Sequence, residues 1–201
     1  MNYRQIMGGG VALLLGVTFA QPVSAQRASS WTWNMQYSTV LGLSDTKDFV
    51  DGFSWRGATV DFEKAINGNL SLGGSVGWHV LAANEAGTSL FDQGAITGTA
   101  WRYVNSVPLL VTGSYFLEEQ GQTRPFVGAG TGTYYIQNRT EAGLFAVEDG
   151  NWHFGFMGEA GVAIDRGASI ITLAARYNRA LAVNDVRHSY FTFSIGLRAG
   201  S

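Results

Sequence analysis

The sequence predicts an all-β fold: an eight-stranded antiparallel up-and-down transmembrane β-barrel over 26–201, behind a cleaved leader at 1–25. Three observations predict it. Hydrophobicity alternates with period 2 in segment after segment, which puts one set of residues on each face of a strand. Charged residues are only 14% of the 201, while Gly reaches 27 and Trp 6, a composition suited to a surface that meets something other than water. The connections also alternate between short and long, as they do at the two ends of a membrane barrel.

Met1 to Ala25 reads as a secretory leader, with Arg4 in a positive start, Ile6 to Ala20 as the apolar core and Val23-Ser24-Ala25 as small cleavage-site residues. Its core of about 15 apolar residues, broken by Gly8, Gly9 and Gly10, falls short of the roughly 20 needed by a spanning helix. No later segment supplies such a run, so a mature chain that enters a membrane does so as a closed barrel. With no Cys in the chain, its stability rests on hydrogen bonds and packing. Lys and Arg number 13 against 15 Asp and Glu, for a net charge of -2, and the basic residues are scattered singly. That distribution argues against a nucleic-acid partner.

The first strand, Trp31 to Leu41, alternates Trp31, Trp33, Met35 and Tyr37 with Thr32, Asn34, Gln36 and Ser38. The second is Trp55 to Ala65. In the third, Leu70 to Val80, Leu72, Val76 and Trp78 oppose Ser71, Ser75 and His79. The fourth and fifth are Ala100 to Leu117 and Pro125 to Asn138. Within the fifth, Gly128-Ala129-Gly130-Thr131-Gly132 is no phosphate loop, because it runs into Thr133-Tyr134-Tyr135 without a helix. In the sixth, Trp152 to Asp165, Phe154, Phe156 and Val162 oppose His153 and Glu159; the seventh is Ser169 to Ala180. The last sets Phe191, Phe193, Ile195 and Leu197 against Thr192, Ser194, Gly196 and Arg198. Short turns fall at Asn67-Gly68-Asn69, Glu118 to Thr123 and Arg166-Gly167-Ala168. Longer loops are expected at Gly42 to Ser54, Ala82 to Thr99, Arg139 to Gly150 and Leu181 to Arg187, and they carry most of the acids, among them Asp45, Asp48, Asp51, Glu85, Asp92, Glu141, Glu148, Asp149 and Asp185.

Barrels place aromatic girdles at both membrane interfaces. Trp31 and Trp33, joined by Phe62, Tyr115 and Phe126, are expected at the inner one. Trp55, Trp78, Trp101 and Trp152, joined by Tyr135, Tyr177 and Phe191, are expected at the outer one. A soluble lipocalin-type barrel would instead be polar outside and apolar inside. The opposite face is short and polar, which implies a packed or barely hydrated interior for eight strands. Parity turns a set of charges inward: Asp61, Glu63, Arg102, Glu159 and Arg176. Glu159 and Arg176, at comparable depth on neighbouring strands, are expected to pair, since an isolated charge there carries a heavy desolvation cost. The set reads either as a narrow polar path or as a plug of salt bridges. His79, His153 and His188 face inward without ligand spacing, so no metal or cofactor site is expected.

Val107-Pro108-Leu109-Leu110 running to Tyr115-Phe116, a polar turn, and Arg124-Pro125-Phe126-Val127-Gly128-Ala129-Gly130 together resemble the small outer-membrane β-barrel superfamily, most closely its outer membrane protein W branch. A single Pro108 stands where that branch carries a pair. The resemblance implies passage of small, rather apolar solutes through a narrow lumen with lateral exit toward lipid. The His188-Ser189 pair differs from the His-x-Ser element of lipid A deacylase barrels, because adjacent strand residues point to opposite faces.

The functional expectation is therefore a non-enzymatic, monomeric integral protein of the outer membrane, conducting as a narrow channel. The alternative is a structural or adhesive barrel with a plugged lumen acting through its external loops, and a lipid A-modifying barrel enzyme is the minor alternative. The partners expected are outer-membrane lipid and lipopolysaccharide, the barrel assembly machinery and periplasmic chaperones. For the acidic loop rim, a merely solvated surface is the expected reading, and divalent cations bridging it to lipopolysaccharide phosphates are the alternative.

Overall fold

In the computed structural model, residues 31–50, 53–91, 94–142, 145–167, 169–183 and 186–200 are described. The expected leader 1–25 lies outside them, as do Asp51, Asp92 and Asp185. Eight antiparallel strands close in sequence order: β1 (Trp31–Leu43), β2 (Phe53–Ala65), β3 (Leu70–Phe91), β4 (Gly94–Phe116), β5 (Thr123–Ala142), β6 (Phe145–Asp165), β7 (Ile170–Val183) and β8 (Val186–Gly200). The barrel closes where β8 pairs with β1, from Thr32↔Gly200 to Leu43↔Ser189.

Along β1 the burial alternates residue by residue, with Thr32, Asn34, Gln36 and Ser38 inside and Trp31, Trp33, Met35 and Tyr37 outside. A strand that is polar inside and apolar outside inverts the pattern of a soluble barrel and suits lipid as the outer solvent. Where the register of β1 and β2 shifts between Ser38↔Gly57 and Val40↔Ser54, β2 carries one extra residue. This bulge turns Trp55 and Arg56 outward in succession and interrupts the ladder. The Tyr37 hydroxyl donates to the Trp55 carbonyl at this point. In an apolar surround every backbone group needs a partner, and here a side chain supplies it. Thr39 and Thr131 likewise donate to the Phe193 and Gly155 carbonyls.

Three expectations about the connections are overturned. The expected loops Ala82 to Thr99, Arg139 to Gly150 and Leu181 to Arg187 are hairpins of continuing strand, since β3–β4 pairing persists to Phe91↔Gly94, β5–β6 pairing to Ala142↔Phe145 and β7–β8 pairing to Val183↔Val186. The pairing of β2 with β3 ends at Arg56↔Val80 and that of β6 with β7 at Gly155↔Ala180. Beyond those points β3–β6 run on as a four-stranded sheet that rises past the rest of the wall. In the other loop, Gly42 to Ser54, the chain folds into a one-turn helix, α1 (Ser44–Phe49). Its Thr46 and the following Val50 are fully buried against the barrel mouth.

Candidate functional site

The interior is built in layers, described from the short-turn end. Phe116 on β4 and Phe126 on β5 pack their rings 5.4 Å apart and cluster with Ala174. Phe126 is therefore inside the barrel, not in the inner girdle where the sequence placed it. It shares parity with Gly128 and Gly130, and Gly161 on β6 leaves room for its ring: a side-chain carbon there would lie 2.6 Å from the Phe126 ring. The Arg198 guanidinium stacks on Phe116 at 4.7 Å and pairs with Glu63. Arg198 also donates to Thr32 at 3.2 Å, and Glu63 accepts from Ser114 at 2.7 Å. The sequence assigned Arg198 to the polar face but not to the charge set; its parity with Thr192, Ser194 and Gly196 was the available signal.

The next layer holds Arg176, which donates Nε–H to Glu159 at 2.5 Å and Nη2–H to Asp61 at 3.1 Å. Its Nη1 reaches Ser75 at 3.0 Å, and Ser75 in turn donates to Asp61 at 2.6 Å. The other Asp61 oxygen accepts from Gln36 at 2.5 Å. Three strands, β2, β3 and β6, thus converge on one guanidinium from β7, and β1 joins them through Gln36 on Asp61. Its planar fork allows it to serve two carboxylates at once. The side chains of Arg176, Asp61 and Glu159 are 4%, 7% and 6% exposed, which makes the cluster nearly dry. Breaking such a pair strands a buried charge, so the arrangement resists opening.

A neutral layer follows. His79 faces Thr59 at 3.2 Å and the Tyr190 hydroxyl at 3.0 Å, Tyr190 meets Ser106 at 3.0 Å, and Tyr134 donates to Asn178 at 3.3 Å. Gly155 makes the Tyr134 site possible, because a side-chain carbon there would come within 2.8 Å of the ring. Above lies an apolar seal of Val40, Leu81, Val104, Ile136, Ala180 and Val50, each at most 1% exposed. This seal corrects the expectation of an interior dominated throughout by small polar residues. Its outer side carries His153 and His188, rings 5.5 Å apart. His153 donates to the Leu181 carbonyl at 2.9 Å, and His188 meets Thr46 of α1 at 3.3 Å. Ser189 turns the other way, its amide donating to Thr46 at 3.1 Å.

Of the five charges singled out in the sequence, the structure brings Asp61, Glu159 and Arg176 together and sets Glu63 with Arg198. Arg102 has inward parity on β4 but is half-buried near the hairpin end, level with Ala83 and Thr140. Trp31, Trp33, Trp55, Trp78, Trp101 and Trp152 all point outward and are exposed. Leu72, Val76, Val111, Phe154 and Ile195 are exposed on the same outer wall. On that wall a shallow groove of about 710 Å³ runs between Tyr37 and Trp55 on one side and Leu173 and Phe193 on the other. Among the described residues no group of His, Asp and Glu is placed to hold a metal ion.

A closed eight-stranded barrel with an ion-paired interior and an apolar, Trp-bearing outer wall has the architecture of the small outer-membrane barrels. No family model and no curated protein sequence matches the chain. Among solved structures it is similar to Neisserial surface protein A (NspA), with 15% identity over 84% of this chain and 96% of that one and a TM-score of 0.53. It is also similar to Ail, the attachment invasion locus protein of Yersinia pestis, with 9% identity over 86% of this chain and 100% of that one and a TM-score of 0.51. A third is the outer membrane protein OprG from Pseudomonas aeruginosa, with 11% identity over 88% and 98% of the two chains and a TM-score of 0.50. At these identities the likeness is one of fold.

Proposed function

We propose that the protein is a monomeric, non-enzymatic integral protein of the outer membrane, exported by its leader and oriented with its short turns in the periplasm. Its lumen is a plug, and it acts outward through the β3–β6 sheet. The observation that carries the plug is Arg176 held between Asp61 and Glu159 across the interior. A solute crossing this level has to separate buried ion pairs, and the apolar seal above is a second barrier that water wets poorly. Strands of 20–23 residues in β3–β6 support the outward role, because a crossing takes only about 9–11. The risen sheet has two edges with unpaired backbone, the kind that accepts an extended partner strand. A surface role also suits the names of NspA, a surface protein, and Ail, an attachment invasion locus protein.

The test is single-channel recording of the refolded mature chain, with folding verified by heat-modifiable gel migration. A silent wild type is expected; discrete openings in the wild type overturn the plug. A second reading, passage of small apolar solutes with lateral exit, is favoured by the groove on the outer wall beside Trp55. Uptake of an apolar solute into proteoliposomes, abolished by filling the groove with Ala175→Phe, would support it over the plug.

A further inference from the structure

We propose that one water molecule is a bound component of the lumen, held beside Gly196 between Asn34, Arg198 and Thr172, where it joins the two ion clusters into one column. On β8 the inward positions Gly196 and Arg198 follow each other. Gly196 is flanked by its register partners Gln36 on β1 and Thr172 on β7, and Arg198 by Asn34 on β1. Because Gly196 has no side chain, its neighbours on β1 close over it: a side-chain carbon there would lie 2.7 Å from Gln36 Cγ and from the Met35 carbonyl oxygen, and 2.9 Å from Asn34 Oδ1. That brings the Asn34 oxygen against β8 at Gly196, whose register partner on the other side is Thr172.

Three buried polar atoms on these neighbouring inward positions have no hydrogen-bond partner in the protein: Asn34 Oδ1, Arg198 Nε and Thr172 Oγ1. Their residues are 6%, 5% and 1% exposed, so bulk solvent does not serve them. Their chemistry is complementary to a single molecule. Arg198 Nε–H can only donate, Asn34 Oδ1 can only accept, and the Thr172 hydroxyl does either. The orientation of the Asn34 amide follows from its Nδ2, which faces Asp61 at 3.5 Å. A molecule that accepts from Arg198 and donates to Asn34 and Thr172 makes the three hydrogen bonds typical of a buried water. Leaving all three atoms bare would incur the desolvation penalty three times over.

Charge decides the class of the ligand. A cation meets the Arg198 guanidinium, and an anion meets Asp61 and Glu63, each one hydrogen bond removed, so the occupant is neutral and small. Water here links Glu63–Arg198 below to Asn34–Asp61–Arg176 above.

The test is NMR of the refolded mature chain in lipid nanodiscs with 15N-labelled arginine, observing cross-relaxation between water and the Arg198 Nε–H. The expected result is a contact from a slowly exchanging water in the wild type. It is weakened in Thr172→Val, which keeps the side-chain shape and removes the hydroxyl, and lost in Gly196→Ala, which pushes Asn34 aside. No contact in the wild type overturns the proposal, and so does a contact of undiminished strength in Thr172→Val. If Gly196→Ala does not fold, the Thr172→Val comparison decides alone.

Discussion

The half of the barrel formed by β1, β2, β7 and β8 and the half formed by β3–β6 solve different problems. The first has strands of 13–15 residues, enough to cross a membrane and little more. It also supplies Asp61, Glu63, Arg176 and Arg198, all but one of the carboxylates and guanidiniums in the two clusters. The second has strands of 20–23 residues and contributes Glu159, the rings of Phe116, Phe126 and Tyr134, and glycines such as Gly155 and Gly161 that give two of those rings room. The buried ion pairs are thus concentrated on one side of the molecule, and the extra strand length on the other.

The largest effect that would sharpen this contrast comes from Arg176→Met. It strands Asp61 and Glu159 in the interior and should destabilise the refolded barrel by about 3–5 kcal/mol in urea unfolding. A loss below 1 kcal/mol would remove the ion pairs from the account of cohesion. Arg198→Met should cost less, roughly 1.5–3 kcal/mol by the same measurement, because Glu63 keeps its bond from Ser114. Tyr37→Phe leaves the bulged Trp55 carbonyl without its hydroxyl donor, and a thermal melt should register a loss of about 0.5–1.5 kcal/mol. At the small end, replacing 84–98 on the long side with a short glycine turn should leave the midpoint of unfolding unchanged. A large drop there would show that the risen sheet supports the barrel and would erase the division between the halves.

Much of this was readable from the sequence because period 2 fixes which face each residue takes, and a one-residue slip would reverse the whole strand. Asp61, Glu63, Glu159 and Arg176 could be turned inward on that ground alone. Depth was less readable: Glu159 and Arg176 could be matched across one strand pair, but the reach of Arg176 to Asp61 spans the lumen and has no local signal. The upper parts of β3–β6 read as loops in the sequence because stretches such as Ala83-Asn84-Glu85-Ala86 lack the period-2 alternation. Helix α1 spans six residues, too few for a helical period to show. The bulge at Trp55 and Arg56 is a backbone event that side-chain patterns do not record. For Phe126 the usable signal is its parity with Gly128 and Gly130, which turns it inward although it is aromatic.

The pairing of β1 with β8 joins residues such as Thr39 and Phe193, 154 positions apart. Seven of the eight contacts between neighbouring strands can form as hairpins along the chain; this one waits for the last strand to arrive. The entropic cost of bringing such distant segments together falls on this single step. Arg198 acts at that step, reaching from β8 past β1 to Glu63 on β2. It fastens the final strand to the second as well as to the first, so the seam is latched from inside as it shuts.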